Sequence, residues 1–214
     1  MLGTIVSVTK QLIEVGESIV GVRRATKEPA YTVEQLTDGV QIRRYGTRIA
    51  AETTITADEE AARNAGFRRL AGYIFGDNHD AEKIAMTAPV AQQARGERGE
   101  KIAMTAPVAQ EAVADGEWVI RFFMPAEKTL ESLPQPNNPA VQLTTLPAET
   151  VAVRRFSGSR SPSAITTQTA MLMKALQEKG FEPAGTPVAW FYDPPWTVPM
   201  LRRNEIAVPI NSQS

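Results

Sequence analysis

Residues 31–55 read YTVEQLTDGVQIRRYGTRIAAETTI, and residues 141–156 read VQLTTLPAETVAVRRF. In the first stretch, two runs of strand-like text flank Asp38-Gly39, a dipeptide suited to a tight hairpin turn because it tolerates positive φ. Val40, Ile42 and Arg44 alternate with Gln41, Arg43 and Tyr45, the period of two expected of a strand. Ile49 to Ile55 offers a further strand. The second stretch echoes the first: Ile42-Arg43-Arg44-Tyr45 is answered by Val153-Arg154-Arg155-Phe156.

A helix is predicted after each stretch. Asp58 is a candidate N-cap for a helix over roughly 59–75, with Gly76 as its stop. Its apolar stripe is Phe67, Leu70, Ala71 and Ile74. Arg63 falls on that stripe one turn earlier, whereas Arg68 and Arg69 point elsewhere. Ser161-Pro162 pairs an N-cap with a first-turn proline and opens a second helix to Lys179, before Gly180. Its stripe is Ile165, Thr169, Leu172 and Leu176.

Ile84, Met86, Ala88 and Val90 alternate with Lys83, Ala85, Thr87 and Pro89, which predicts a strand with Pro89 at an edge or an end. The run KIAMTAPVAQ at 83–92 returns unchanged at 101–110. The two copies either form a hairpin, or one enters the sheet and the other loops out. Trp118 to Met124 is the next strand, and LPQPNNPAV at 133–141 a proline-rich connector. Each half thus reads strand pair, helix, further strands. One domain over 28–214 is expected, with pseudo-halves about 28–125 and 140–210 closing one antiparallel sheet or barrel. Residues 1–27 form a separate leader. Leu2, Ile5, Val8, Leu12, Val15, Ile19 and Val22 lie at the spacing of an amphipathic helix. Lys10, Glu14 and Glu17 keep its apolar run short of the ~20 residues a membrane span needs, and no signal-peptide pattern is present. Such a helix packs on the domain, on a partner chain or at a membrane surface.

Composition narrows the chemistry. The 214 residues include no cysteine, which excludes disulfides, thiolate metal sites, cysteine nucleophiles and thioether-linked haem, and fits a reducing, cytoplasmic setting. With 23 basic and 24 acidic residues the net charge is −1, so no bulk attraction to nucleic acid is expected. His79 is the sole histidine, so a catalytic triad uses it or does not exist. Phosphate-loop, GxSxG and HExxH patterns are absent. No catalytic motif is found, and a binding protein is favoured over an enzyme.

Four stretches now combine: EPAYTVEQ with GVQIRRY, GYIFGDN at 72–78, KIAMTAPV, and FYDPPWTVPMLRRNEIAVPI at 191–210. Together they resemble bacterial-type members of the SOUL haem-binding family over about residues 28–210. The resemblance implies an α+β fold: a distorted antiparallel β-barrel of two similar halves, each with one flanking helix, shared with GyrI-like small-molecule-sensing domains. It also implies reversible, non-covalent binding of haem or another tetrapyrrole in an apolar groove beside the first helix, with basic side chains meeting the propionates, for carriage or buffering.

Two basic helix positions of the animal relatives fall here on Asn64 and Gly72, a departure that shifts the propionate role to Arg63 or Arg68. Arg63 shares its stripe with the groove candidates Phe67, Leu70 and Ile74, and otherwise snorkels over core residues. Met86 and Met104, equivalent in the two copies, line the groove, ligate iron or fill core. His79 is the candidate axial ligand, or else a surface residue. Tyr73 and Tyr192 are phenolate candidates. Trp190 and Trp196 supply core or an aromatic wall. Arg202, Arg203, Asn204 and Glu205, set between strand-like Met200-Leu201 and Ile206-Val208, read as a sheet-edge network holding the C-terminal segment. The alternative reading is a GyrI-like hydrolase or sensor in which Glu205, near Trp190, Tyr192 and Trp196, positions a water in the same groove.

Overall fold

A computed structural model describes residues 28–37, 39–95, 116–194 and 196–211. The leader, Asp38, the second KIAMTAPVAQ copy and Met104 lie outside the described residues. Among the described residues, nine strands and two helices follow in order: β1 (Tyr31–Thr37), β2 (Val40–Tyr45), β3 (Arg48–Ala57), α1 (Glu59–Ile74), β4 (Val90–Ala94), β5 (Gly116–Phe123), β6 (Gln142–Leu146), β7 (Glu149–Phe156), α2 (Pro162–Glu178), β8 (Val188–Phe191) and β9 (Asn204–Pro209).

The strands form one antiparallel sheet in the order β1-β2-β7-β9-β8-β4-β5-β3-β6. The fold is therefore α+β. The expected closure into a barrel is not seen among the described strands, because β1 and β6 stand at opposite ends of the order with no pairing between them. Two runs of elements, β2-β3-α1-β4-β5 and β6-β7-α2-β8-β9, repeat one sequence of types. They exchange their first strands, since β2 pairs with β7 and β6 pairs with β3. The IRRY–VRRF echo falls on β2 and β7, which are paired neighbours rather than counterparts in the repeat.

Local chemistry sets both helix starts. The Asp58 carboxylate accepts from the Glu60 and Ala61 amides, and the Ser161 hydroxyl accepts from the Ala164 amide. Gly39 and Gly76 take positive φ, at the β1–β2 turn and beyond α1 respectively, where a Cβ is disfavoured. Leu172 and Leu176 of α2 cover Val40, Ile42, Ala152, Ile206 and Val208. Leu70, Tyr73 and Ile74 of α1 cover Ala51, Ile120 and Phe122. Gly66 lets α1 approach β5: a Cβ there would lie 2.8 Å from Ile120 Cβ, and Ile120 is fully buried.

Two strand predictions need correction. Between α1 and β4 the chain is not a strand: β4 starts only at Val90. Ile84 is buried with Thr87 and Ala88 while Met86 is exposed, so the alternation fails. The run instead wraps across neighbouring elements. The Ile84 amide donates to the Ile74 carbonyl at the end of α1, and the Thr87 hydroxyl donates to the Phe123 carbonyl of β5. Met200-Leu201 is likewise not strand but part of a 3₁₀ turn, Pro199–Leu201.

The opposite face of β2, β7, β9 and β8, which neither α1 nor α2 covers, carries a second packed layer with Tyr45, Val151, Val153, Trp190, Tyr192 and Ala207. Glu205 is fully buried there. Its Oε2 accepts from Arg43 Nη1 at 2.7 Å and from the Tyr192 hydroxyl at 2.6 Å. Its Oε1 accepts from Arg43 Nη2 and Arg203 Nε, each at 2.9 Å. These four donors match the acceptor capacity of a carboxylate. The network is central, not at a sheet edge, because β9 lies between β7 and β8. Burial works against the Glu205 charge, yet the hydrogen bonds and charge of Arg43, with Arg203 and Tyr192, outweigh it and hold the carboxyl below its ordinary range.

A depressed carboxyl pKa stabilises the fold above the ordinary carboxylate range, and that contribution disappears as pH falls towards the folded value. Urea midpoints should therefore drop more steeply between neutral pH and roughly pH 3 in the wild type than in Glu205→Gln. At neutral pH, Glu205→Gln should cost about 3–5 kcal/mol, since it removes the charge partner of the buried Arg43. Gly66→Ala should lower stability by about 1–3 kcal/mol, measured by urea unfolding, because overpacking against Ile120 exceeds the helix-propensity gain.

Candidate functional site

The start of α1, the lead-in to α2 and the β8–β9 connection meet around a pocket of about 270 Å³. It is lined by Glu60, Arg63 and Asn64 of α1, by Ser159, Arg160 and Ser161, and by Arg202. Three guanidinium groups thus share one small cavity. Arg63 and Arg160 lie over the Phe191 ring, with their Cζ atoms 5.0 and 5.1 Å from its centroid. Arg63 donates to Gln92 Oε1 at 3.3 Å. Arg160 donates to Asn204 Oδ1 and to the Asp193 carbonyl, both at 2.9 Å. Arg202 Nε donates to the Thr197 carbonyl at 2.8 Å.

Electrostatics favour an anion at this point. Burial pulls the Arg63 pKa down, and the like charge of Arg202 adds to it, against the nearby carboxylates Glu59, Glu60 and Asp58. A negative group entering the pocket relieves that penalty. The amide nitrogen of Asn204 is moreover a buried donor without an acceptor among the described residues.

Beside the pocket stands a turn with an apolar surface. Trp196, Val198, Met200 and Leu201 are exposed, Met200 at 76 % and Trp196 at 61 %. The Gly158 amide donates to the Pro199 carbonyl at 2.9 Å, and the Arg202 amide donates to the same carbonyl at 3.1 Å. These bonds place the turn directly against the basic pocket. Four large apolar side chains thus stand exposed on one turn.

The residues expected from the sequence do not all converge here. Arg63 does. Phe67 is half-buried and meets Phe122 edge-on, with centroids 5.3 Å apart. Leu70 and Ile74 belong to the core beneath α1 and have no free surface. Their stripe faces the sheet, so the apolar groove expected along α1 is filled by the protein's own side chains. Met86 and His79 are exposed beyond the far end of the helix. Arg63 and Ile74 are separated by about 16 Å of helix axis, so His79 does not share a site with Arg63.

Neither tyrosine offers a phenolate. Burial pushes Tyr73 up to about 12, and its hydroxyl donates to the Pro134 carbonyl at 2.9 Å. Burial, then the Glu205 charge, raises Tyr192 well above its ordinary value. Trp190 is core, whereas Trp196 is free to act as a wall. Glu205 is ionised with every acceptor site filled, and so has no free lone pair to activate a water. Sequence reading missed Arg160, which sits in an unremarkable serine-rich lead-in, and took Arg202 for a structural residue. Two arginines distant in sequence reveal their common cavity only through the fold. Among the described residues no cluster of three or more metal-binding side chains occurs, and no helix is long and apolar enough to cross a membrane.

The chain aligns with human "Heme-binding protein 2" at 29 % identity over 141 residues, covering 65 % of this chain and 62 % of the relative. The mouse protein of the same name aligns at 30 % over equal shares. The chain therefore spans less than two thirds of these relatives. Among solved structures, the EcmrR C-terminal domain superposes with a TM-score of 0.58 at 10 % identity, covering 86 % of this chain and 99 % of that one. A Listeria innocua hydrolase gives 0.53 at 9 % identity, covering 80 % and 91 %. Both likenesses concern the fold alone. The profile described as SOUL heme-binding protein matches residues 26–99 and again 92–209, so that each match carries one copy of the doubled run. By that match across most of its length, the chain belongs to the SOUL heme-binding protein family.

Proposed function

We propose that this protein reversibly binds haem or a related tetrapyrrole, without covalent attachment, where the start of α1 meets the β8–β9 turn. Family membership implies haem as the ligand. The observation that carries the location is the pairing of three arginines, Arg63, Arg160 and Arg202, with the exposed Trp196, Val198, Met200 and Leu201.

The residues present fit such a ligand. A tetrapyrrole is a flat apolar body with carboxylates on one edge, and it needs an apolar platform beside cations. Planar guanidinium forks meet carboxylates with two parallel hydrogen bonds. Ser159 and Ser161 add hydroxyl donors at the same cavity. Trp196 offers an aromatic face at the cost of few rotatable bonds. The pocket is too small and polar to enclose the macrocycle, so the ring lies against the turn while its carboxylates enter the pocket.

Haem held this way brings an iron whose chemistry a carrier does not use. Met200 is the soft donor of the turn, and a thioether is among the side chains that ligate haem iron. A surface-held ligand suits carriage or buffering in the cytoplasm by a single domain better than permanent cofactor use.

Haemin titration followed by the Soret band and by tryptophan emission tests the reading. Wild-type protein should saturate at micromolar haemin. Arg202→Gln should weaken binding by roughly tenfold or more, the loss of one charge-assisted hydrogen bond, and Trp196→Ala should remove a large part of the quenching. His79→Ala should leave the spectrum of the complex unchanged. A titration in which neither signal moves contradicts the proposal.

A further inference from the structure

A second cavity, of about 320 Å³, opens on the face of the sheet that neither α1 nor α2 covers. Arg43, Arg155 and Arg203 line it with Tyr31, Gln35 and Gln41, and no carboxylate is among its lining residues. Two of these arginines are committed. Arg43 and Arg203 serve Glu205, and Arg203 also pairs with Glu28 at 2.7 Å. Arg155 stands differently. It is the cross-strand partner of Glu205 in the β7–β9 ladder and so shares its face. Residues directly opposite on one face normally pair when their charges are opposite.

Here that pairing is foreclosed. The four acceptor sites of Glu205 are filled by Arg43, Arg203 and Tyr192. Arg155 is exposed, and among the described residues no carboxylate pairs with it. Three guanidinium groups therefore face two carboxylates, Glu205 and Glu28, leaving one positive charge at the cavity. Gln41 is also engaged, since its Oε1 accepts from Arg43 at 3.0 Å. The cavity is preorganised by a buried network, yet its outermost cation is uncompensated.

We propose that this cavity is a second ligand site, for a small organic carboxylate that pairs with the Arg155 fork. Its volume lies at the lower limit for small-molecule pockets, roughly 300–1,000 Å³, and its lining is polar where a tetrapyrrole needs apolar contact. The site is separate from the α1 pocket: the two have no lining residue in common. Arg155 supplies the charge, and Arg43 and Arg203 hold the wall in place through Glu205.

Isothermal titration with citrate and, separately, with inorganic phosphate at constant ionic strength tests this assignment. Citrate should give saturable binding to the full chain, and phosphate a weaker version of it. Arg155→Gln, at an exposed position that leaves the Glu205 network intact, should weaken citrate by roughly tenfold or more at an unchanged thermal midpoint. Arg202→Gln should keep the Arg155-dependent citrate binding, whatever anion the α1 pocket also takes. Absence of saturable binding of either anion overturns the proposal, as does equal affinity in Arg155→Gln. Loss of citrate binding in Arg202→Gln instead would move the anion to the other pocket and overturn it as well.

Discussion

The whole sheet is organised around one buried carboxylate. Glu205 sits on a central strand and accepts four hydrogen bonds: two from Arg43 on β2, one from Tyr192 just past β8 and one from Arg203 just before its own strand. A charge out of water survives only when paired and fully hydrogen-bonded. That requirement fixes the relative positions of β2, β8 and β9 more tightly than apolar packing alone would. Through Arg203 it also draws in Glu28, ahead of the first strand. The same saturation removes Glu205 from water-activating chemistry and leaves Arg155, its neighbour across the ladder, facing outward.

The sheet also divides labour between its faces. One face is covered by α1 and α2, whose apolar stripes are spent on the core. The other is packed with aromatic rings, Tyr45 lying edge-on to Trp190 with centroids 5.7 Å apart. The cavity of about 320 Å³ on the face opposite the helices is small and polar, which does not suit a large flat ligand. Binding surface must then come from the margins. At one margin the β8–β9 turn leaves Trp196, Val198, Met200 and Leu201 in the open. Asp193 accepts the Arg203 amide at 2.6 Å at the base of that turn, tying the apolar tip to the buried central network.

Much of the architecture was legible because it is written in local signals. Asp58, Gly76 and Ser161-Pro162 located both helices, and period-two text located β2, β3, β5 and β7. The failures have physical causes. The Ile84-to-Val90 alternation mimics a strand, but hydrogen bonds to the end of α1 and to β5 replaced the ladder. The IRRY–VRRF echo matched strands that pair with each other, since the two halves exchange their first strands, a long-range fact that no local pattern encodes. The stripe on α1 was read correctly as apolar but assigned to a ligand, although a helix lying on a sheet spends such a stripe on the core first. Arg63 was found because it is the cation on that stripe. Arg160 joined it only because both stack on Phe191.

The central claim is that the tetrapyrrole lies at the start of α1 against the β8–β9 turn. Amide chemical-shift mapping with diamagnetic protoporphyrin IX tests this most directly, since ring-current shifts report which residues border the macrocycle. Shifts concentrated at Trp196 to Arg202, at Arg160 and Ser161, and at Arg63 are predicted. Shifts concentrated instead around Phe75, His79 and Met86, at the far end of α1, would contradict the account.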